Sequence, residues 1–527
     1  LNNVQITPTQ VLYKAAELLK YTQQIPTSYP FNPFIIIQLP HNFTSGNNTN
    51  DMTAKDDRAG LTWPEGFSDE IRTKWATEPD ILTITAIVQQ ALHIGDRGEL
   101  SVEFLELSVE LLAKGTFSKL YAIDCARNVG FIMRITLPVV PLRKNLSELA
   151  TIKYVRQNTD IPVPRVVARS KRSRNTLGFE WTIMERIPGD KLCEQWRRMS
   201  WEKKEELVRK VVKYQVQLFN NRFPQIGSLY LTETLRTLIS VLPPSAALPN
   251  FKVSVFPYCL GQIVSVPFFY HKNWKFNRCR GPYTYTWDWL AARLRTAAAD
   301  VDNQSVCSNG KEEALCGDSG DDTLEHFMNP DEAHIPCCDN WEADPHALLT
   351  AASSDPRIQR LINLLPKIFP SGETEECMLF HHDLSGNNIL VDQNHEISGI
   401  IDWEGVHTVP LWLGCQIPKF LHSREVNELP PFRTGFEDEE NKNQYWRLVE
   451  DYGKTQLRAF FLEEMQQVCP EWMKFHQAGS LKADFSFAVD TVALPVPVGA
   501  TDHFERWLEQ VEQGAEHLNL RSAMDQS

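Results

Sequence analysis

The sequence predicts an α+β protein of two lobes, a small strand-rich lobe followed by a larger, mainly helical one. Three observations carry this. From Ser101 to about Pro138 the residues alternate like a set of strands with turns, and FEWTIMERI adds a further strand before Pro188. Beyond that point apolar residues recur at helical spacing behind capping residues. Between the two textures stands Pro188-Gly189, a pair that continues neither strand nor helix. At 527 residues the chain is too long for one small core. Its 42% hydrophobic and 23% charged content is that of a soluble globular protein.

Taken in order, residues 1–95 are expected to be an N-terminal extension, partly without fixed structure. A helical piece over 9–23 precedes a polar, Asn-rich stretch over 41–56. Residues 96–187 form the small lobe. VEFLELSVELLAKGTFSKLYAIDCARNVGFIMRITLP reads as strands joined by turns, LSELATIKYVRQN as a helix halted before Pro162, and FEWTIMERI as a further strand. Residues 188–480 form the helical lobe, where Ser200 caps WEKKEELVRKVVKYQVQLF. In that helix Val208, Val211, Val212, Leu218 and Phe219 make a core-facing stripe. Residues 300–345, rich in Asp, Glu, Ser, Gly and Asn with Lys311 as the single lysine, are expected as a solvated acidic insertion. Residues 481–527 read as a C-terminal tail with one short helix, DHFERWLEQVEQG.

A net charge of −14 argues against nucleic acid as the partner. No apolar run approaches the roughly 18 residues of a membrane helix, so membrane insertion is not expected. The opening LNNVQITPTQ carries neither a charged n-region with an apolar core nor an Arg-rich amphipathic pattern. A cytoplasmic protein is expected, with a mitochondrial one left open because the sequence starts at Leu1. The eleven cysteines are scattered without framework spacing, which suits free thiols in a reducing compartment. His334 with Cys337-Cys338 lacks zinc-ligand spacing.

The chemistry concentrates in FHHDLSGNNILVDQNHEISGIIDWEG, residues 380–405. Ile389-Leu390-Val391 and the run 397–401 read as a hairpin around the polar turn 392–396. In an antiparallel hairpin the residue before the first strand lies beside the residue after the second. Asn388 and Asp402 are therefore expected to meet at the open end, with Asp383 five residues upstream on the loop feeding it. Two carboxylates and an amide oxygen converging there suit a divalent cation and phosphate better than a core.

HHDLSGNNIL followed by IIDWE resembles the paired H-x-D-x-x-x-x-N and D-x-x signatures of the aminoglycoside phosphotransferase and choline kinase family. That family has the protein-kinase-like fold. GTFSKLYAI is similar to its phosphate-binding loop, FIMRI to its phosphate-contacting strand, and SELATIKYV to the helix with the partner glutamate. IPVPRV and IMERIPG resemble the rest of the small lobe, and VPLWLGCQIPKFL resembles a fungal branch. The likeness covers roughly residues 105–425, the acidic insertion excepted.

This resemblance implies an ATP- and Mg²⁺-dependent phosphotransferase acting on a hydroxyl of a small, unidentified acceptor. Asp383 takes or orients the acceptor's proton, and Asn388 and Asp402 hold the metal with hard oxygens. Backbone near Gly115, Thr116 and Ser118 cradles phosphate. Arg134 stands where protein kinases have lysine, with Glu148 as its ion-pair partner. The backbone of Glu185 and Ile187 meets adenine, and His381 braces the catalytic loop. Glu404 is left between metal and substrate contact. Trp403-Glu404 in place of Phe-Gly, and no evident long activation segment, point away from a protein acceptor. Tyr283, Trp287 and Trp289 either frame the acceptor or pack in the core. Two other classes remain: a nucleotide-binding pseudokinase with a regulatory role, and a metal-dependent phosphohydrolase using His381-His382-Asp383.

Overall fold

The computed structural model describes residues 60–62, 74–93, 107–125, 129–170, 173, 175–232, 257–265, 268, 280–308, 355–431, 435–436, 438–492, 498–515 and 520–521. The chain divides into two compact units, Leu1–Ser45 and Gly46–Ser527, and all described residues lie in the second. The helix expected over 9–23 and the Cys337-Cys338 pair lie outside the described residues, as do residues 309–345 of the acidic insertion.

The small lobe is a five-stranded antiparallel sheet. Its strands are β1 (Leu107–Lys114), β2 (Ser118–Cys125), β3 (Val129–Thr136), β4 (Val166–Arg169) and β5 (Glu180–Glu185), in the order β1-β2-β3-β5-β4. Period-two alternation sorts its faces. Tyr121, Ile123, Phe131, Met133, Ile135 and Ile183 point one way into a hydrophobic cluster, which helix α1 (Ile81–His93) caps with Ile84, Ile87, Val88 and Leu92. The boundary expected at residue 95 is thus not a packing boundary. α1 covers an apolar sheet face that would otherwise meet water, a favourable burial of roughly 25 cal/mol per Å². The alternate residues Ser118, Ile132, Arg134 and Thr136 share the other face with helix α2 (Arg143–Asn158).

The start of α2 is fixed by polar contacts instead of a side-chain cap. Leu142, just before it, has φ +64°, a left-handed value uncommon for leucine. Its N–H donates to Glu180, whose other carboxylate oxygen accepts from Asn145 Nδ2 at 2.7 Å. Thr136 Oγ1 donates to Asn145 Oδ1 at 2.9 Å, closing the link back to β3.

Past the hinge, Asp190–Lys191 (β6) pairs with the hairpin of residues 389–400, Leu390 opposite Lys191. The large lobe is built on helix α3 (Trp201–Asn220), capped by Ser200 Oγ accepting from Lys203 N–H, and its expected stripe is buried. α4 (Thr286–Ser308), α5 (Pro356–Ile368), α6 (Glu439–Val468), α7 (Pro470–Ala478) and α8 (Ser480–Thr491) complete the lobe: α6 packs along α3, and α4, α5 and α8 pack on one another. Because α4 runs to residue 308, the boundary placed at 300 falls inside a helix. Tyr283, Trp287 and Trp289 are all buried here, so they pack the core and do not line an open acceptor site.

The described residues beyond 480 pack on the large lobe. α8 buries Phe485, Ala488 and Val489. α9 (Val498–Glu512) joins α5 through Arg360, which pairs with Glu505 and Glu512 at 2.7 Å each. Asp484, fully buried, accepts from Leu520 N–H at 2.8 Å and Arg521 Nε at 2.9 Å, tying these two residues to α8. Charged composition concealed these contacts, since charged side chains that pair across elements read as solvated in one dimension.

Candidate active site

The expected hairpin is present: β7 (Ile389–Val391) and β8 (Ile397–Ile400) pair antiparallel with Ile389 opposite Ile400. The Ile401 N–H donates to the Asn388 carbonyl at 3.0 Å, which places Asn388 and Asp402 side by side at the open end. Ile400 N–H donates to Pro162 O at 2.8 Å, tying this end to the small lobe. The hinge lies against the hairpin so closely that a Cβ on Gly399 would stand 2.6 Å from Ile187 Cδ1.

Asp402 has φ +64°, and three contacts hold the turn that imposes it. Trp403 is fully buried, with its indole N–H donating to Ile400 O at 3.0 Å. His381 Nε2 lies 3.0 Å from Ile401 O, and its ring stands edge-on to Trp403 at 4.9 Å. Burial pushes His381 down to about 4, so it is neutral and its Nε2–H is the donor. The brace expected of His381 is thus present as geometry.

Asp383 is gripped from both sides. Asn388 Nδ2 donates to its Oδ2 at 2.9 Å and to its carbonyl at 2.8 Å, while Lys419 Nζ reaches its Oδ1 at 2.8 Å. With the Asn388 amide nitrogen committed to Asp383, its Oδ1 is left as an acceptor.

Above the mouth, Arg134 donates through Nη1 to Glu148 and through Nη2 to Glu404, and Nη2 also lies 3.4 Å from Asp402 Oδ1. The side chains of Arg134 and Glu148 are almost entirely buried, whereas Asp402 is about half exposed. Lys144, one helical turn before Glu148 on the same face of α2, puts Nζ 2.6 Å from Glu404 Oε1. Burial, and then the charge of Arg134, push Lys144 down to about 7, against the attraction of Glu148, Asp402 and Glu180.

The structure therefore brings Arg134, Glu148 and Asp402 into one network and sets Asp383 with Asn388 on the loop that enters the same hairpin. Gly115, Thr116 and Ser118 lie at the β1–β2 turn. There the Gly115 N–H is already taken by Ser118 O at 2.8 Å. Gly115 is also not sterically required: a Cβ on it would lie 3.4 Å from its nearest neighbours. The Glu185 N–H is used by Arg165 O at 2.9 Å. Ile187 lines a hinge cavity of about 400 Å³ with Asp124, Cys125, Gly130, Arg186, Pro188 and Gly189.

Sequence reasoning missed Lys144 and Lys419 and the true partners of Glu404. The four-residue spacing of Lys144 and Glu148 was a usable signal for the first; nothing in CQIPKFL marks Lys419. Among the described residues no group of three or more His, Cys, Asp or Glu has metal-holding geometry. A Mg²⁺ carried by a nucleotide needs only one or two protein oxygens, and the exposed Asp402 carboxylate with Asn388 Oδ1 fits that requirement. Arg134 Nε, buried without an acceptor, fits an anionic ligand. No helix among the described residues is long and apolar enough to cross a membrane.

Residues 321–412 match the model of a phosphotransferase enzyme family, APH. A subtelomeric hrmA-associated cluster protein of Aspergillus fumigatus is 24% identical over 367 residues, covering 64% of this chain and 67% of the relative. The mitochondrial protein "altered inheritance of mitochondria protein 9" of Clavispora lusitaniae is 24% identical over 359 residues, 64% of this chain and 55% of the relative. Among solved structures, a streptomycin–ATP–APH(2")-IIa ternary complex aligns at 13% identity and TM-score 0.39, over 85% of this chain and 99% of that one. ADP-bound aminoglycoside phosphotransferase APH(2'')-Ib aligns at 12% identity and TM-score 0.38, over 85% and 99%. The family match takes in Asp383, Asn388 and Asp402 with the hairpin that carries them.

Proposed function

We propose that the protein transfers the γ-phosphate of ATP to a hydroxyl of a small molecule, with Asp383, Asn388, Asp402, Arg134 and Glu148 as the working residues. The observation that carries this reading is the 3.4 Å approach of Arg134 Nη2, from the small-lobe sheet, to Asp402 Oδ1, from the large-lobe hairpin. A cation suited to phosphate and a carboxylate suited to metal meet between two lobes, where the chain could hold a nucleotide.

Phosphoryl transfer needs positioning and charge neutralisation more than covalent help. Asp383 accepts the proton of the acceptor hydroxyl as that oxygen bonds to the γ-phosphorus and the bond to the β-phosphate oxygen breaks, leaving ADP. Asn388 and Lys419 fix the orientation of the Asp383 carboxylate. Arg134 draws on phosphate oxygens, and Glu148 holds the guanidinium in place. Mg²⁺, when bound at Asn388 and Asp402, supplies neutralisation of phosphate charge. Phosphate contact by the 115–118 turn is proposed through donors other than the Gly115 N–H, and adenine contact through the Ile187 backbone and Glu185 carbonyl.

ADP formation by the purified chain with Mg-ATP and pools of amino alcohols, sugars, aminoglycosides and cell metabolites tests the reading. Acceptor-dependent ADP release, abolished in Asp383→Asn and in Asp402→Ala, is expected. Nucleotide binding without turnover in any pool would move the conclusion to a pseudokinase.

A further inference from the structure

Beside Arg134 stands a second buried basic side chain, Lys144, that the proposed reaction does not use. The Lys144 side chain is 1% exposed, and Nζ, which carries up to three N–H groups, has the Glu404 Oε1 ion pair at 2.6 Å, out of hydrogen-bond alignment. Arg134 Nε is buried and lacks an acceptor. Buried donors whose N–H groups are only partly met are unfavourable, and an anion that presents more oxygens than one carboxylate would meet them.

Glu404 is the anion between the two cations, with one oxygen toward Lys144 and the other toward Arg134. It lies in a turn that continues into Gly405 at φ +71°, so its side chain can leave without disturbing α2 or β3. Lys144, by contrast, is held. The contacts of Leu142 and Asn145 with Glu180 anchor the first turn of its helix to the sheet. Phe117, from the turn expected to cradle phosphate, sets its ring 6.0 Å from Lys144 Nζ.

We propose that Arg134 and Lys144 form a two-cation cradle for the nucleotide's polyphosphate, which Glu404 occupies as an internal anion until phosphate displaces it. This rests on the phosphotransferase reading and specifies how that site takes its nucleotide. A polyphosphate brings several charges and many acceptor oxygens, enough to meet both the Lys144 ammonium and the Arg134 Nε edge. Glu404 thereby excludes weaker, singly charged anions from an empty site.

The test is calorimetric binding of ATP and of inorganic tripolyphosphate to the full chain in EDTA, so that no metal complicates the role of Glu404. Glu404→Gln should bind tripolyphosphate on the order of tenfold more tightly than the unmodified chain, because the competing anion is gone. Lys144→Met/Glu404→Gln leaves neither partner charge stranded, and it should lose on the order of tenfold relative to Glu404→Gln alone. The cradle is overturned if Glu404→Gln binds no better than the unmodified chain, or if the double variant binds as Glu404→Gln does. That second result would make Lys144 a structural latch. An unmodified chain that binds no Mg-ATP overturns the phosphotransferase reading along with the cradle, whereas intact Mg-ATP binding with unmoved variants overturns the cradle alone.

Discussion

Replacing Arg134 by lysine and by methionine separates the fork of the guanidinium from its charge. Arg134 faces three carboxylates: Glu148 through Nη1, and Asp402 and Glu404 through Nη2. A lysine ammonium on this strand can reach one of them well. Glu404 keeps Lys144 at 2.6 Å and Asp402 is half exposed to water, so the net loss is about one charge-assisted hydrogen bond. That is worth about 2 kcal/mol. Methionine removes the charge and strands the buried Glu148, which costs about 3–5 kcal/mol. Urea unfolding followed by tryptophan fluorescence should show both midpoints lowered at unchanged m, with methionine clearly the worse. If the two variants fell together, or either fell by less than about 1 kcal/mol, Arg134 would be a solvated side chain and the network an accident of packing.

Stability should fall on acidification. Burial lowers His381 and His407 from 6.5 to about 4, so from pH 6.5 down to 4 the unfolded chain takes up protons that the folded chain refuses. Each histidine then removes about 1.4 kcal/mol per pH unit, and a flat urea midpoint between pH 7.5 and 5 would show that they titrate normally when folded. Gly399→Val should lower stability by about 1–3 kcal/mol through collision with Ile187, with partial recovery in the Ile187→Ala background; a harmless Gly399→Val refutes the close hinge contact. Asp383→Asn should lower kcat roughly a hundredfold or more at unchanged melting temperature, and Lys419→Met by less, since Asn388 still orients the carboxylate. Equal kcat in Asp383→Asn and the unmodified chain would remove Asp383 from the chemistry.

What the sequence made legible was local or strictly periodic. Alternation in 107–136 placed Arg134 on the face opposite Met133 and Ile135, and the hairpin's two-strand geometry put Asn388 beside Asp402. What it concealed was the partner of each charge. Lys144 and Lys419 look like ordinary polar residues, Glu404 shows no partner in the sequence, and only the closing of two lobes over 268 residues of separation reveals that Arg134 meets Asp402. The edges of the lobes were concealed for the same reason. α1 and α8 carry apolar faces whose counterparts lie far away in the chain, so nothing near them in sequence says where they pack.

On the proposed reading, the charges gathered at the hairpin mouth also explain why a metal is needed. Four carboxylates, those of Glu148, Asp383, Asp402 and Glu404, stand against the cations Arg134 and Lys419 and a Lys144 whose charged form burial disfavours. A polyphosphate entering this site adds several negative charges where water is partly excluded and repulsion is strengthened. Displacing Glu404 from the cations does not remove its charge, which stays on the turn two residues from Asp402. A divalent cation arriving with the nucleotide restores the balance, and the half-exposed Asp402 carboxylate is the group placed to receive it. Metal-free nucleotide should therefore bind more weakly than its Mg²⁺ complex in the unmodified chain, and that gap should narrow in Glu404→Gln. A gap that stayed the same would mean that Glu404 and the metal do not share one electrostatic site.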